Sequence, residues 1–321
     1  MTSSLTSGGI RDAARFLEGR VRRTPVEPSA KLSERLGVPV WLKLECLQVT
    51  GSFKVRGAFV RMAELSDAER RVGIATCSAG NHGKGVAYVA RQLGVPARIF
   101  VPKTVDESKY RGMLALGAEV IRSEFIGYDD TEAWAREEAS KSGRTFLSAF
   151  DDDAIMAGNG GSLAVEVLDD LPEARTFVLP VGGGGLSAGF ALYAEEERPG
   201  STIVGCQLEA SPALQLSLER GEAVTRLPPV ETAAGGLEGG IGRRTFEILK
   251  SHVDAVALIT EAEIVDATRW MLAEHQYLVE PSAAVTVAAC LTGKVGRVTS
   301  PAAVVLSGRN VSLETLQRIL R

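Results

Sequence analysis

The sequence has few cysteines, and no two of them form a short motif. Cys46, Cys77, Cys206 and Cys290 are far apart, and no Cys-x-x-Cys pair occurs. A zinc site or a framework of disulfides is therefore not expected, because both need cysteines at organised spacings. Scattered reduced thiols are typical of cytoplasmic proteins, and we predict that location.

Long apolar runs and clusters of basic residues are also missing. The net charge is −4, and no stripe of lysine and arginine indicates binding to a phosphate backbone, so nucleic acid is not an expected partner. No apolar stretch is long and charge-free enough for a membrane span, and a membrane is not expected either. Residues 1–21 lack the basic region followed by an apolar run that marks a signal peptide.

The composition is that of an ordinary globular protein. The chain has 321 residues, of which 45% are hydrophobic and 24% are charged. One core rarely serves a chain of this length, so we expect two lobes. From residue 58 onward, short apolar segments alternate with helical patterns. This alternation predicts βαβ units and an α/β fold of parallel sheets flanked by helices.

The apolar patterns also predict individual elements. The predicted strands are 38–44, 73–76, 97–101, 119–121, 145–147, 176–180, 202–207, 256–259 and 303–306. The predicted helices are two within 9–36, then 58–64, 83–93, 108–116, 131–142, 162–168, one ending near 196, 261–274, 282–291 and 313–320.

The segment 50–57, TGSFKVRG, is too polar and too rich in glycine to be plain core. One interpretation is an exposed start of a helix. The other is that Lys54 lies at the head of a helix beside a cofactor aldehyde. Lysine suits Schiff-base chemistry because its amine can lose its charge when it is desolvated.

Two further segments lie between a predicted strand and a predicted helix. In 77–83, CSAGNHG, free backbone N–H groups and the helix dipole would suit a carboxylate or a phosphate, although Ser78 or Asn81 could simply cap the helix. In 181–189, VGGGGLSAG, four glycines suit a phosphate-binding loop, and a flexible linker is the alternative. No lysine follows the glycine run, whereas the phosphate-binding loop of an ATPase has one. The run also does not match the glycine motif of dinucleotide-binding proteins.

The segment 306–311, LSGRNV, ends the last predicted strand, and Ser307 there could point its hydroxyl at a ring nitrogen. Taken together in this order, the four segments resemble the fold-type II enzymes that use pyridoxal 5'-phosphate (PLP). The resemblance is to the threonine/serine dehydratase and serine racemase family, including hydroxyectoine-utilisation dehydratase-like members, and it covers 23–310.

The resemblance implies a two-lobed fold, similar to the beta subunit of tryptophan synthase, with PLP in the cleft. The large domain would comprise 1–66 and 144–321, and the small α/β domain 67–143. Relatives are commonly homodimers, so the resemblance also implies a dimer, and the expected small-molecule partner is an amino-acid substrate.

The resemblance also implies roles for individual residues. Lys54 would carry PLP as a Schiff base, and it is with Ser78 a predicted catalytic residue. Phe53 would lie against the cofactor ring, Asn81 would bind the phenolic oxygen, and Ser307 would face the ring nitrogen. The remaining predicted contacts are Gly182, Gly183, Gly184 and Gly185 with the phosphate, Gly236 and Glu280 along the cofactor, and Ser78, Ala79, Gly80, Asn81 and His82 with the substrate carboxylate.

The implied reaction is β-elimination of water from L-threonine or L-serine, which yields a 2-oxo acid and ammonia. Lys54, once displaced by the substrate amine, would remove the α-proton, and PLP would store the electron density. The β-hydroxyl would leave with a proton from the cofactor phosphate. Because Ser307 is not a carboxylate, the ring nitrogen would stay largely neutral, which favours elimination over transamination.

Some positions depart from the pattern of relatives. Ala79 stands where racemases have a second serine and cannot transfer a proton, so we predict little racemisation. Glu209 matches one ligand of a cation site, but Gln215 replaces the second, a poorer ligand for a hard cation, so no metal is predicted. Gly235 replaces a common aspartate, and Arg309 a common glycine, as in hydroxyectoine-related dehydratases.

Several alternatives therefore stay open. The substrate could be 3-hydroxyaspartate or an intermediate of hydroxyectoine breakdown. The enzyme could be similar to serine racemase, or it could catalyse β-replacement as cysteine synthases do. A non-catalytic PLP-binding protein is the alternative from another class.

Overall fold

Two β-sheets organise the chain in the computed structural model, which describes residues 5–321. The larger sheet has the strand order β1-β2-β10-β7-β8-β9, and the smaller has the order β5-β4-β3-β6. In chain order the strands are β1 Val26–Pro28, β2 Val40–Lys43, β3 Ile74–Cys77, β4 Ala97–Val101, β5 Glu119–Arg122, β6 Thr145–Phe146, β7 Thr176–Pro180, β8 Thr202–Leu208, β9 Ala255–Ile259 and β10 Ala302–Val305.

Helices cover the sheets, with a short 3-10 turn at Glu45–Leu47 and a π-helical turn at Ala157–Gly161. None of the helices within residues 5–321 has the length and apolarity needed to cross a membrane. The α-helices are α1 Ser7–Leu17, α2 Ala30–Leu36, α3 Lys54–Ala63, α4 Asp67–Val72, α5 Asn81–Leu93, α6 Glu107–Ala115, α7 Tyr128–Lys141, α8 Asp153–Met156, α9 Ser162–Asp170, α10 Gly185–Glu197, α11 Ala213–Arg220, α12 Arg243–His252, α13 Glu261–His275, α14 Pro281–Thr292 and α15 Leu313–Leu320.

The central strands of the larger sheet are buried on both faces. Every residue of β7 (TFVLP) and of β10 (AAVV) is buried, as expected for parallel strands that helices cover on both sides. The small residues of α14 let it pack closely, and its first ten residues are all buried. The smaller sheet has its own cluster, in which Phe100 and Trp134 meet edge to face with ring centres 4.9 Å apart.

The predicted α/β fold of parallel sheets is confirmed, with one exception at an edge. β1, which was not predicted, pairs antiparallel with β2. Pro28 lies in β1, and proline is tolerated there because an edge strand needs no second ladder of hydrogen bonds. The helices α4, α8, α11 and α12 were not predicted either; α4 and α8 are only six and four residues long.

Several helices begin earlier than predicted, and two of these begin with a residue of interest. α3 starts at Lys54 rather than 58, and α5 starts at Asn81 rather than 83. Apolar periodicity marks only the part of a helix that faces the core. The first residues of both helices contact the cleft instead, so periodicity places each start too late.

The smaller sheet consists of β3 to β6, which are consecutive in the chain. The larger sheet consists of β1 and β2, which precede them, and of β7 to β10, which follow them. This arrangement accommodates the predicted small lobe, 67–143, although β6 at Thr145–Phe146 pairs with β3 just beyond its boundary. The domain boundaries themselves stay a prediction.

Candidate active site

Lys54 is the first residue of α3, and its side chain contacts the segment that follows β6. Its Nζ donates to the carbonyl oxygen of Ala149 at 2.8 Å and lies 5.2 Å from the centre of the Phe53 ring. Burial lowers the pKa of Lys54 to about 8, although the charge of Glu280 acts in the opposite direction. A substantial fraction of this amine is therefore neutral near physiological pH.

The chain before Lys54 is attached to the loop after β10. The backbone N–H of Phe53 donates to the carbonyl of Ser307 at 3.2 Å, and Ser52 pairs with Gly308 in an isolated β-bridge. The predicted cofactor contacts Phe53, Lys54 and Ser307 are thus brought together. The buried Ser52 Oγ has no hydrogen-bond partner within residues 5–321.

Behind Lys54, a buried group of charges anchors α3. The Arg56 guanidinium donates to both oxygens of Glu45 at 2.8 Å and also to Glu166 at 2.8 Å. Lys43 Nζ donates to Glu166 as well, at 2.6 Å. Charges that are removed from water persist only when each has such partners. This network, which sequence reasoning missed, fixes the segment that carries Lys54.

Residues 78–80 connect β3 to α5, and Asn81 and His82 are the first two residues of that helix. The N–H of Gly80 donates to the buried Ser78 Oγ at 3.2 Å, so the serine shapes the turn. Ala79 and Gly80 are half-buried, and their backbone lies at the N-terminus of a 13-residue helix. Such a terminus provides unpaired N–H groups and a positive dipole end.

His82 points away from the cleft, beneath this loop. Its Nε2 lies 3.0 Å from Thr76 Oγ1, whose hydroxyl donates to the carbonyl of Leu147 at 2.7 Å. The histidine must therefore donate through Nε2. Burial, helped by the charge of Lys54, lowers the pKa of His82 to about 3, so it is neutral and supports the loop.

Asn81 and Glu280 meet across the cleft, where Asn81 Nδ2 donates to Glu280 Oε1 at 2.6 Å. Glu280 directly precedes α14 and is buried. Burial raises the pKa of Glu280 to about 7, while the hydrogen bond from Asn81 and the charges of Lys109 and Lys84 limit the rise. The structure thus brings together two predicted cofactor contacts from distant parts of the chain.

The glycine run follows β7 and leads into α10. A Cβ atom at Gly182 would lie 2.4 Å from the carbonyl oxygen of Gly236, and one at Gly183 would lie 2.3 Å from the Phe150 ring. Only glycine fits positions where the backbone is approached so closely. The run, 182–185, therefore presents bare backbone N–H groups at the start of a 13-residue helix, which is an arrangement that binds phosphate.

Gly236 faces this run, and its N–H donates to Ser282 Oγ at 2.9 Å. Glu209, by contrast, is exposed just after β8, away from this group of contacts. Within residues 5–321, no cluster of three or more histidine, cysteine or acidic side chains could hold a metal ion. The expectation that the protein has no metal site stays a prediction.

Known proteins were compared with the chain. Residues 17–308 match the family described as "Pyridoxal-phosphate dependent enzyme". The chain belongs to this family. The predicted family and cofactor are thereby confirmed.

Individual relatives are similar over nearly the whole chain. An L-threonine ammonia-lyase of Thermotoga maritima is 38% identical over 98% of this chain and 78% of its own length. The structure of maize serine racemase has a TM-score of 0.92 at 30% identity and covers 99% of this chain and 97% of its own. The processed form of threonine deaminase isoform 2 from Solanum lycopersicum has a TM-score of 0.88 at 30% identity and covers 98% of this chain and 92% of its own.

The residues of the site fit PLP. Lys54 provides an amine with a lowered pKa, and the glycine run provides backbone without side chains at the start of α10. The unpartnered hydroxyl of Ser52 and the amide of Asn81 add polar groups to the same cleft. These groups match an aldehyde, a phosphate and a polar aromatic ring.

Proposed function

We propose that this enzyme eliminates water from L-threonine or L-serine to give an enamine, which is then hydrolysed to a 2-oxo acid and ammonia. The observation that supports the proposal most is the buried Lys54, whose pKa is lowered and whose Nζ contacts Ala149, next to the Phe150 ring that packs on the glycine run. The names of the similar L-threonine ammonia-lyase and threonine deaminase support this activity.

In this proposal the predicted contacts hold the cofactor. Lys54 Nζ would hold the aldehyde carbon, and Phe53 would pack against the ring. Asn81 Nδ2 would donate to the phenolic oxygen, and Ser307 Oγ would face the ring nitrogen. The backbone N–H groups of Gly182, Gly183, Gly184 and Gly185 would hold the phosphate, while Gly236 and Glu280 would line the ring. When bound, PLP would supply an electron sink for the α-carbon of the substrate.

The chain's own groups then bind the substrate and move its proton. Ser78 Oγ and the backbone N–H groups of Ala79 to His82 hold the carboxylate at the start of α5. Lys54 Nζ would accept the α-proton of the substrate. A pKa of about 8 suits this role, since a general base works best when its pKa lies near the operating pH.

A second candidate substrate is 3-hydroxyaspartate, and basic side chains near the cleft favour it. Lys84 and Lys109 line one cavity of about 190 Å³ together with Gly80 of the substrate loop. Burial lowers the pKa of Lys84, and the charge of the exposed Arg309 nearby lowers it further. A substrate with a second carboxylate would be attracted by these charges.

The release of 2-oxo acid from parallel substrates tests the proposal. The PLP-loaded enzyme is offered L-threonine, L-serine, 3-hydroxyaspartate and a hydroxyectoine-derived amino acid. We expect fast release from L-threonine or L-serine. Release from only one of the other two compounds would identify that compound as the substrate instead. If PLP is bound and none of the four compounds releases a 2-oxo acid, the proposed reaction is contradicted.

We further infer the arrangement of the molecule. In this inference 67–143 forms a small lobe that closes over the substrate and excludes water. Two chains form a homodimer in the cytoplasm, and neither nucleic acid nor membrane takes part. Light scattering from the purified enzyme tests the oligomer, and a monomeric mass at micromolar concentration would contradict it.

A further inference from the structure

A chain of hydrogen bonds runs from Lys84 through Asn310 to Asn81. Lys84 Nζ donates to Asn310 Oδ1 at 2.8 Å, and Asn310 Nδ2 donates to Asn81 Oδ1 at 2.7 Å. Asn81 Nδ2 in turn donates to Glu280 at 2.6 Å. The bonds join α5, which contains both Asn81 and Lys84, to the loop after β10 and to the residue before α14.

Two neighbours fix the direction of the Asn310 amide. The ammonium of Lys84 can only donate, and the carbonyl of Thr50, which accepts from Asn310 Nδ2 at 2.9 Å, can only accept. A reversed Asn310 amide would place its NH₂ group against the ammonium and its oxygen against a carbonyl. The NH₂ group of Asn310 must therefore face Asn81 Oδ1.

The orientation of the Asn310 amide in turn fixes the orientation of the Asn81 amide. Because its oxygen accepts from Asn310, its NH₂ group must face Glu280 and the cleft. Within residues 5–321, Asn81 Nδ2 donates only to Glu280, so one of its two N–H bonds remains for a ligand. A reversed Asn81 amide would place its NH₂ group against that of Asn310, and two donors would then oppose each other.

We propose that Lys84 and Asn310 are positioning residues that hold the Asn81 amide with its NH₂ group toward the cofactor. The inference rests on the proposed function, in which Asn81 Nδ2 binds the phenolic oxygen. Neither residue touches the cofactor in this account. Each acts through Asn81, and loss of either one allows the amide to rotate.

Variants of the full-length enzyme separate this role from a simple effect of charge. Lys84→Met removes the donor, whereas Lys84→Arg keeps one. Asn310→Asp keeps the shape and an acceptor for Lys84, but it has no NH₂ group to direct Asn81. Lys141→Met, at the exposed end of α7, is the matched control for loss of a lysine.

The measurements are the Kd for PLP added to the cofactor-free protein and the absorption maximum of bound PLP. Thermal midpoints of the same samples identify a folding defect. We expect Lys84→Met and Asn310→Asp each to weaken PLP binding on the order of tenfold, since one directed hydrogen bond is lost, and to shift the absorption maximum. Lys84→Arg and Lys141→Met should stay close to the original protein.

If Lys84→Met and Asn310→Asp both kept the PLP affinity and the absorption maximum of the unaltered protein, the inference would be overturned. An effect of Lys84→Met alone would also overturn it, because charge rather than direction would then matter. Failure of the unaltered protein to attach PLP at Lys54 would instead contradict the proposed function, so the two failures are distinguishable.

Discussion

Lys54 Nζ donates a hydrogen bond of 2.8 Å to the carbonyl oxygen of Ala149. The bond joins the first residue of α3 to the chain that leaves β6, across the cleft between the two sheets. A neutral amine still carries N–H donors and can make this bond, which is stronger when the donor is an ammonium. The contact therefore holds the amine in position without requiring that it stay charged.

The first prediction concerns the pH dependence of cofactor attachment. Only the neutral amine attacks the aldehyde, and burial lowers the pKa of Lys54 to about 8. The rate of covalent attachment should therefore rise as the pH increases toward 8 and level off above it. Stopped-flow absorbance of the cofactor-free protein mixed with PLP measures this rate. A midpoint near that of a free lysine, about 10.4, would contradict the lowered pKa.

The second prediction concerns the charges behind Lys54. Arg56→Met leaves Glu45 and Glu166 buried without their guanidinium, which should cost roughly 3–5 kcal/mol in the free energy of unfolding. Urea denaturation measures it. Arg91→Met, on the exposed side of α5, is the matched control and should change the free energy by less than about 0.5 kcal/mol. Equal effects of the two substitutions would show that the network does not contribute to the free energy of unfolding.

The third prediction concerns the glycine run. A Cβ at Gly183 would lie 2.3 Å from the Phe150 ring, so Gly183→Ala should destabilise the protein by roughly 1–3 kcal/mol and weaken PLP binding. Phe150→Leu in the same chain should relieve part of the loss. Gly8→Ala, in α1 with open space around it, should be neutral or slightly stabilising. Unfolding and PLP titration of the four proteins provide the comparison.

The fourth prediction concerns Ala79. A side chain that cannot exchange protons limits racemisation, so the unaltered enzyme should convert little L-serine to D-serine. Ala79→Ser places a hydroxyl at that position and should raise D-serine formation relative to 2-oxo acid release. Chiral chromatography measures both products. Comparable interconversion by the unaltered enzyme would contradict this assignment.

Much of the fold could be predicted because buried elements carry strong apolar patterns. β7, β10 and α14 are examples, since nearly all of their residues face the core. β1 was missed because a three-residue edge strand that contains Pro28 has no such pattern. Periodicity also placed the starts of α3 and α5 too late, since Lys54 and Asn81 face the cleft.

The site was predictable only in part, for a different reason. Segments such as 50–57 and 181–189 have a composition that plain core would not have. The carbonyl of Ala149, however, is a backbone group, and no residue type marks it as the acceptor for Lys54. The contact of Lys84 with Asn310 joins residues 226 positions apart in the chain, and only the folded structure brings them together.

The central claim is that Lys54 carries the cofactor, and chemical trapping tests it most directly. The PLP-loaded enzyme is reduced with borohydride and digested, and the labelled peptide is located by mass spectrometry. The account predicts a single pyridoxyl label on Lys54, and none in Lys54→Ala. A label on Lys84 or Lys109, which lie near the same cleft, or no covalent label at all, would contradict it.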